Sequence, residues 1–174
     1  MKRFASKGTL ILACVFVLSL SANAVVSAQS TDIPSDKLDL IKSKCSNSQF
    51  ALQQIEKRDA VSRINRGRAY DQMLRQASAF NSRFAYNKTS SPDLIQITSD
   101  IQSAVDTFRA NYDRYDTDLS DAQKIDCKQK ATDYYNMILK ARDDRNSVSD
   151  QVDKIIDLMT QYRTAIVGYE DKVQ

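Results

Sequence analysis

A strict apolar repeat occupies the last third of the chain. Its thirteen positions, spaced alternately by three and four residues over six heptads, are apolar in twelve cases. The positions are Ala131, Tyr134, Ile138, Ala141, Arg145, Val148, Val152, Ile155, Met159, Tyr162, Ile166, Tyr169 and Val173. A period of 3.5 residues keeps one stripe of a helix facing its neighbours. The repeat therefore predicts a helix over about 131–173, roughly 64 Å long, that packs along other helices.

A second apolar stripe lies in the first half of the chain. It runs over 38–55, fades, and resumes over 70–84 with the same spacing. Helix breakers are rare in this stretch, which contains one glycine, Gly67, and no proline after Pro34. The pattern predicts a single helix over about 35–86, roughly 78 Å long.

A polar turn separates this helix from a third apolar stripe. The segment 87–92 has the sequence Asn-Lys-Thr-Ser-Ser-Pro, which is typical of a loop whose proline opens the next helix. The following stripe predicts a helix over about 93–124, and a bend is expected at 125–130. The fold class that we predict is all-α: an elongated up-down-up three-helix bundle with coiled-coil packing.

The first 28 residues have the features of a secretory signal peptide. A basic start precedes an apolar core over 9–20, and small residues occupy two possible cleavage sites. We expect cleavage after Ala28, with Ala24 as the alternative, which leaves a helical bundle domain over 29–174. An uncleaved leader that acts as a membrane anchor is the other interpretation, although its apolar run is short for a membrane span.

Removal of the leader makes the chain neutral. The whole chain has 25 Lys and Arg against 22 Asp and Glu, and the leader contains three of the basic residues and no acidic one. A neutral mature protein gives no compositional support for nucleic-acid binding. We expect a secreted or extracytoplasmic protein with no stable membrane span after cleavage. A protein partner and self-association both remain possible at this stage.

Two cysteines remain after the leader is removed, Cys45 and Cys127. Two thiols in an exported protein most often form a disulfide, and the alternative is two unrelated buried thiols. The bond would close a loop of about 80 residues, and it would require the bend expected at 125–130.

Arg145 is the one charged residue in the apolar repeat. In an up-down-up bundle it lies level with about residue 61 of the first helix and residue 112 of the second. Asp59 and Asp113 could therefore form a polar layer with it, which would fix the register of the helices at some cost in stability. The alternative is that its long side chain reaches outward to water.

No pattern in the chain is typical of an enzyme. The chain has no histidine, and its isolated glycines form no phosphate-binding loop. The four Asp residues between 113 and 121 alternate with apolar residues at helical spacing, which favours a solvated face over a calcium site. The five basic residues between 57 and 68 point all round their helix, although an anionic surface polymer is a possible ligand. We predict no catalytic residue, no metal site and no cofactor.

Part of the chain resembles uncharacterised exported coiled-coil proteins of candidate-phylum bacteria of the Saccharibacteria type. The resemblance covers about 113–145 together with the leader and Cys45. The residues that carry it are Tyr112, Tyr115, Asp116, Leu119, Ile125, Asp126, Cys127, Tyr134, Tyr135, Leu139, Ala141 and Arg142. That family often has a proline shortly after the cysteine, which this chain lacks. The resemblance implies no known activity.

These observations lead to one expected role and one alternative. We expect an exported, non-enzymatic helical interaction or structural protein of the cell envelope or extracellular space. The alternative is a chaperone-like holder of unfolded exported proteins, which would need exposed apolar faces.

Overall fold

The computed structural model describes residues 33–173, and the side chains of residues 33–169. The predicted signal peptide over 1–28, with its cleavage after Ala28, lies outside the described residues. Within them the chain is all-α, as predicted, and forms four helices. These are α1 (Ser35–Ser43), α2 (Cys45–Tyr86), α3 (Pro92–Lys124) and α4 (Ala131–Val173).

The predicted first helix, over 35–86, is in fact two helices. The backbone leaves helical geometry at Lys44 (φ −104°, ψ 12°), so that α1 ends at Ser43 and α2 begins at Cys45. This break of one residue lets α1 contact α4 as well as α2, and Ile41 packs against the core. The prediction of three helices is therefore wrong, because contacts with a distant helix bend the chain at a place where no glycine or proline marks a bend.

The three long helices alternate in direction. The Asn81 amide of α2 donates to the Leu94 carbonyl at the start of α3, and the Gln49 amide donates to the Ile125 carbonyl at its end. Helices α2 and α3 are therefore antiparallel. The Asn111 amide of α3 donates to the Ser147 carbonyl of α4 at 3.1 Å, and α4 again runs antiparallel to α3. Helices α2 and α4 are consequently parallel to each other.

The core is centred on α3, which packs against both of the other long helices. Phe108 is almost completely buried, and its ring meets the edge of Tyr70 at 5.4 Å between centroids. Edge-to-face aromatic pairs of this kind stabilise a core beyond the area that they bury. The other buried residues of α3 repeat at helical spacing, which is why this helix forms: Leu94, Ile101, Ala104, Val105, Asn111, Tyr112, Tyr115, Asp118, Leu119 and Ala122.

The apolar repeat of α4 is buried along most of its length, and Met159 departs from it. Ile155 is completely buried, but Met159 is 38% exposed, while Leu158 is only 9% exposed. A straight α-helix has 3.6 residues per turn, so a strict 3.5-residue stripe rotates by about 20° per heptad. At this turn Leu158 therefore occupies the core instead of Met159, and Tyr162 is buried again one turn later. The coiled-coil packing of the bundle stays a prediction.

A helix cap without glycine forms the turn between α2 and α3. The Thr89 N–H donates to the Phe84 carbonyl and the Lys88 N–H to the Ala85 carbonyl, the hydrogen-bond pattern of a Schellman motif. Lys88 takes the left-handed position of this motif, with φ 56°. Glycine usually occupies that position, because it has no Cβ to clash with the backbone.

The corner between α3 and α4 is built around Asp126. The chain extends at Ile125 (φ −77°, ψ 127°), and the Asp126 side chain then accepts hydrogen bonds from the N–H groups of Lys128 and Gln129. Such an Asx turn bends the chain without glycine or proline. The bend expected at 125–130 is thereby present between α3 and α4.

The corner brings Cys127 to Cys45, at the start of α2. The structure joins the two sulfurs in a disulfide, with 5.5 Å between the Cα atoms, and both residues are buried. The bond therefore ties the first residue of α2 to the segment between α3 and α4.

We predict that the disulfide accounts for a large share of the stability. Mass spectrometry of non-reduced mature protein should find one peptide pair, Cys45 linked to Cys127. The two cysteines are 82 positions apart, and closing a loop of that length lowers the entropy of the unfolded chain. Replacing both with serine should reduce the free energy of unfolding by about 4–5 kcal/mol on the chain-entropy model. Two free thiols in the non-reduced protein would contradict this prediction.

Candidate functional site: the groove between α2 and α4

The two parallel helices leave a groove between them. Across residues 33–173, no Cα atom of α2 lies within 8 Å of a Cα atom of α4. Helices in close contact lie with their axes about 8–10 Å apart, so α2 and α4 meet only through long side chains. One such contact is the hydrogen bond of 2.6 Å between the hydroxyl groups of Ser48 and Tyr134. The groove divides into a polar part and an apolar part.

The polar part contains Arg145 and Asp59. The Arg145 Nε donates to Asp59 Oδ2 at 2.9 Å, and the Tyr115 hydroxyl donates to the same oxygen at 2.8 Å. The Asp59 side chain is 19% exposed and the Arg145 side chain 59% exposed. Arg145 thus combines both interpretations of the sequence: its head group pairs with Asp59, and much of its side chain is in water. These residues line a cavity of about 240 Å³.

Asp113, the other residue predicted for the polar layer, lies elsewhere. Its carboxylate pairs with Arg63 at 3.3 Å, and the Arg63 guanidinium also lies over the Tyr112 ring at 5.1 Å from the centroid. Side chains two residues apart in a helix point in directions that differ by about 200° around its axis. Because Tyr115 faces Asp59, Asp113 necessarily faces away from it. The polar layer therefore consists of Arg145, Asp59 and Tyr115, and Asp113 is not part of it.

The ionisable groups of the polar part keep fixed protonation states near neutral pH. Burial, with the nearby Asp59 and Asp116 carboxylates, raises the pKa of Tyr112 to about 12. Burial and the hydrogen bond to Asp59 also raise the pKa of Tyr115. The Asp59 carboxylate raises the pKa of Arg145 by accepting its hydrogen bond. The two phenols stay neutral and the guanidinium stays charged, an arrangement that suits ion pairing better than proton transfer.

The apolar part of the groove has a volume of about 470 Å³. Its walls come from α2 and α4, and Ile101 of α3 contributes to the lining between them. Two of its lining residues, Ile156 and Val167, are 52% and 50% exposed. The lining consists of Met73, Gln76, Ala77, Phe80, Ile101, Ile156, Met159, Thr160, Tyr162, Arg163, Ile166 and Val167.

Tyr162 holds the two walls of the apolar part at a fixed distance. Its hydroxyl lies 3.0 Å from both the Ala77 carbonyl oxygen and Asn81 Oδ1. Beyond it, the rings of Phe84 and Tyr169 meet at 5.3 Å between centroids. Tyrosine spans a wider gap than leucine or valine, so these two contacts keep the helices apart while joining them.

Two arginines lie beside the apolar part of the groove. Arg163 lines it from α4. Arg83 of α2 lies over the ring of Phe80, 5.8 Å from its centroid, and Phe80 is part of the lining. Neither guanidinium forms an ion pair with a carboxylate among the described side chains. The lining of the apolar part therefore contains one positive charge, and a second lies beside Phe80.

A third cluster, between α3 and α4, was missed by the sequence analysis. Asp118 is buried, and Lys140 Nζ lies 2.7 Å from its Oδ1. Burial opposes the ionisation of Asp118, but the nearby Asp144 and the hydrogen bond from Lys140 outweigh it and lower the pKa of Asp118. The proximity of Asp118 raises the pKa of Asp144. The missed signal was spacing, since Asp118 lies three residues after Tyr115 and four before Ala122 and so shares their buried face.

The described part of the chain shows neither a metal centre nor a membrane span. No three Cys, Asp or Glu side chains converge there in a way that could hold a metal ion. None of its helices has the length and hydropathy needed to cross a bilayer.

No protein-family model matches this chain, and no curated protein or solved structure is significantly similar to it. The resemblance to exported proteins of candidate-phylum bacteria stays a prediction. The function of the chain is therefore inferred from the geometry and chemistry of the groove.

We predict that Arg145 stabilises the fold through Asp59. Arg145→Ala should lower the free energy of unfolding by about 1–2 kcal/mol, less than for a fully buried pair because solvent screens this one. The matched control is Arg142→Ala, an exposed position one turn away on α4, which should change stability by less than about 0.5 kcal/mol. Urea unfolding at pH 7 measures both variants. Equal, small losses would mean that Arg145 is a solvated side chain.

We predict that the protein loses stability in alkali, and that Tyr115 contributes to the loss. Its pKa is higher in the folded chain than the usual value of 10.0, so its contribution to stability is complete below pH 10. The contribution is lost as the pH rises above 10, because the unfolded chain then releases the proton first. Tyr115→Phe should make the fall in unfolding free energy between pH 9 and 11.5 less steep.

The control for this titration is Tyr86→Phe, at a tyrosine that is 88% exposed. It should leave the pH dependence of stability unchanged in the same urea titrations. A Tyr115→Phe variant whose stability falls as steeply as that of the parent protein would contradict the role given to Tyr115.

Proposed function

We propose that this chain is an exported, non-enzymatic helical interaction protein that binds its partner in the groove between α2 and α4. The observation that supports this most is the apolar part of the groove. Ile156 and Val167 expose about half of their surface in a groove whose lining is mostly apolar, and apolar surface in a concave site is typical of binding.

The chemistry of the groove supports binding over catalysis. Its apolar lining contains one ionisable group with a full charge, Arg163. In its polar part the charge of Arg145 is already paired with Asp59. Proton transfer near neutral pH needs a group whose pKa lies near that pH, and the pKa values of Tyr112, Tyr115 and Arg145 are raised away from it.

The disulfide supports an extracytoplasmic location. A buried bond between Cys45 and Cys127 suits an oxidising compartment, since cytoplasmic thiols are kept reduced. The signal-peptide pattern of the first 28 residues agrees with this location. Both features support the proposal that the protein acts in the cell envelope or outside the cell.

The proposed function predicts that charges placed in the groove prevent binding of the partner. Ile156→Asp combined with Val167→Asp changes two exposed side chains, so the fold should persist, as thermal unfolding would show. The mature variant should recover at least tenfold less of its partner from envelope extracts of the producing cells, measured by quantitative mass spectrometry. Burial of two such side chains by a partner is worth about 3 kcal/mol, enough for that change.

The control is Val61→Asp, on a side chain of α2 that is 58% exposed and lies outside the groove lining. It should capture as much partner as the parent protein. Equal capture by the parent and the groove variant would show that the groove is not the binding surface.

The alternative, a chaperone-like holder of unfolded proteins, is favoured by a different observation. Large apolar side chains are also exposed outside the groove, among them Phe50, Ile64 and Ile95. A holder would use many such positions at once, so it would suppress the light scattering of an aggregating client equally well with and without the two groove substitutions.

A further inference from the structure

We propose that the apolar part of the groove binds a long-chain fatty acid, with the hydrocarbon chain along the apolar lining and the carboxylate at Arg163. The inference rests on the proposed function, because it takes the groove to be the binding surface and names the class of ligand.

The lining matches a hydrocarbon chain in size and chemistry. Its volume of about 470 Å³ falls within the range of small-molecule sites, roughly 300–1,000 Å³. Met73 and Met159 lie on opposite walls, and their unbranched side chains adapt to the shape of an apolar ligand. The Tyr162 hydroxyl is already engaged by Ala77 and Asn81, so it makes little demand on the ligand for hydrogen bonds.

The charge of the lining determines the head group. Arg163 is the one charged residue among the twelve that line the apolar part, which include no carboxylate. A guanidinium binds a carboxylate through two parallel N–H donors, and the attraction is stronger beside apolar surface than in open water. Arg83, stacked on Phe80, adds a second positive charge beside the lining. A ligand with an anionic head group therefore fits, and a cationic one would be repelled.

The depth of the groove favours a single hydrocarbon chain over a helical peptide as the ligand. Tyr162 joins α4 to α2 across the groove at Ala77 and Asn81, and the ring of Tyr162 is buried. A helix with its side chains is about 10–12 Å across. It would lie above this cross-connection, whereas a thin hydrocarbon chain can lie lower between the two walls.

The test uses mature, disulfide-bonded protein from which lipids have been extracted. Titration with cis-parinarate, a fatty acid that fluoresces in apolar surroundings, should show saturable binding to one site. Dodecanoate should displace the probe, and 1-dodecanol, which has the same chain without the charge, should displace it about tenfold less well. Both competitors are used below the concentration at which they form aggregates.

Two variants locate the head group and the chain. Arg163→Gln should weaken the binding of dodecanoate about tenfold and leave that of 1-dodecanol unchanged, while Arg142→Gln, the matched control, should change neither. Ile156→Asp should weaken the binding of both compounds, and Val61→Asp should leave both unchanged. Thermal unfolding verifies that each variant is folded.

Several results would overturn the inference. They are the absence of saturable binding, equal affinities for the acid and the alcohol, equal effects of Arg163→Gln and Arg142→Gln, and preference for an amphipathic helical peptide over dodecanoate. Failure of the fatty acid to bind, with partner capture still dependent on the groove, would reject the fatty acid and keep the proposed function. If dodecanoate binding depends on Arg163 but partner capture does not depend on the groove, the fatty-acid site is kept and the groove is rejected as the surface that binds the partner.

Discussion

The bond between Cys45 and Cys127 sets the register of the bundle. It fixes the first residue of α2 against the end of α3, and the helices then run in opposite directions with the same rise per residue. Every later contact between them depends on that starting point. The Gln123 amide donates to Glu56 at 2.9 Å, and one turn further along α2 the Tyr115 hydroxyl reaches Asp59. A shift of one residue would break both hydrogen bonds.

The groove is a consequence of the side chains that join α2 and α4. Small residues would let two helices approach closely, but these two meet through Tyr134, Arg145 and Tyr162. Each of these side chains is long and ends in a polar group that needs a partner on the opposite helix. The contacts that complete the fold therefore also prevent α2 and α4 from closing on each other, and apolar surface stays open between them.

The sequence predicted the long helices well because their apolar repeats continue over many turns and polar segments separate them. The ends of the helices near Tyr86, Lys124 and Ala131 agree with the structure. The break at Lys44 was missed because its cause, the packing of α1 against α4, is not local. No glycine or proline marks it.

The site was predicted in part, for equally physical reasons. Register arithmetic placed Arg145 near Asp59 correctly, since long parallel helices keep their alignment over many turns. It placed Asp113 wrongly, because the level along a helix says nothing about the direction around it. The exposed face at Met159 was missed because a strict heptad pattern hides the slow rotation of a straight helix.

The anchoring of α2 has a mechanical consequence. One end of this helix is clamped by the disulfide at Cys45, and the other is held by the short capped turn after Tyr86. A helix held at both ends cannot separate from the bundle at an end first, but it can bend at its centre. Gly67 lies there, with no atom beyond its chain neighbours and its own helix backbone within 4 Å of where a Cβ would be, and glycine is the most flexible residue of a helix interior. Local opening of α2 is therefore expected first at its centre, near Gly67, and last at its two ends.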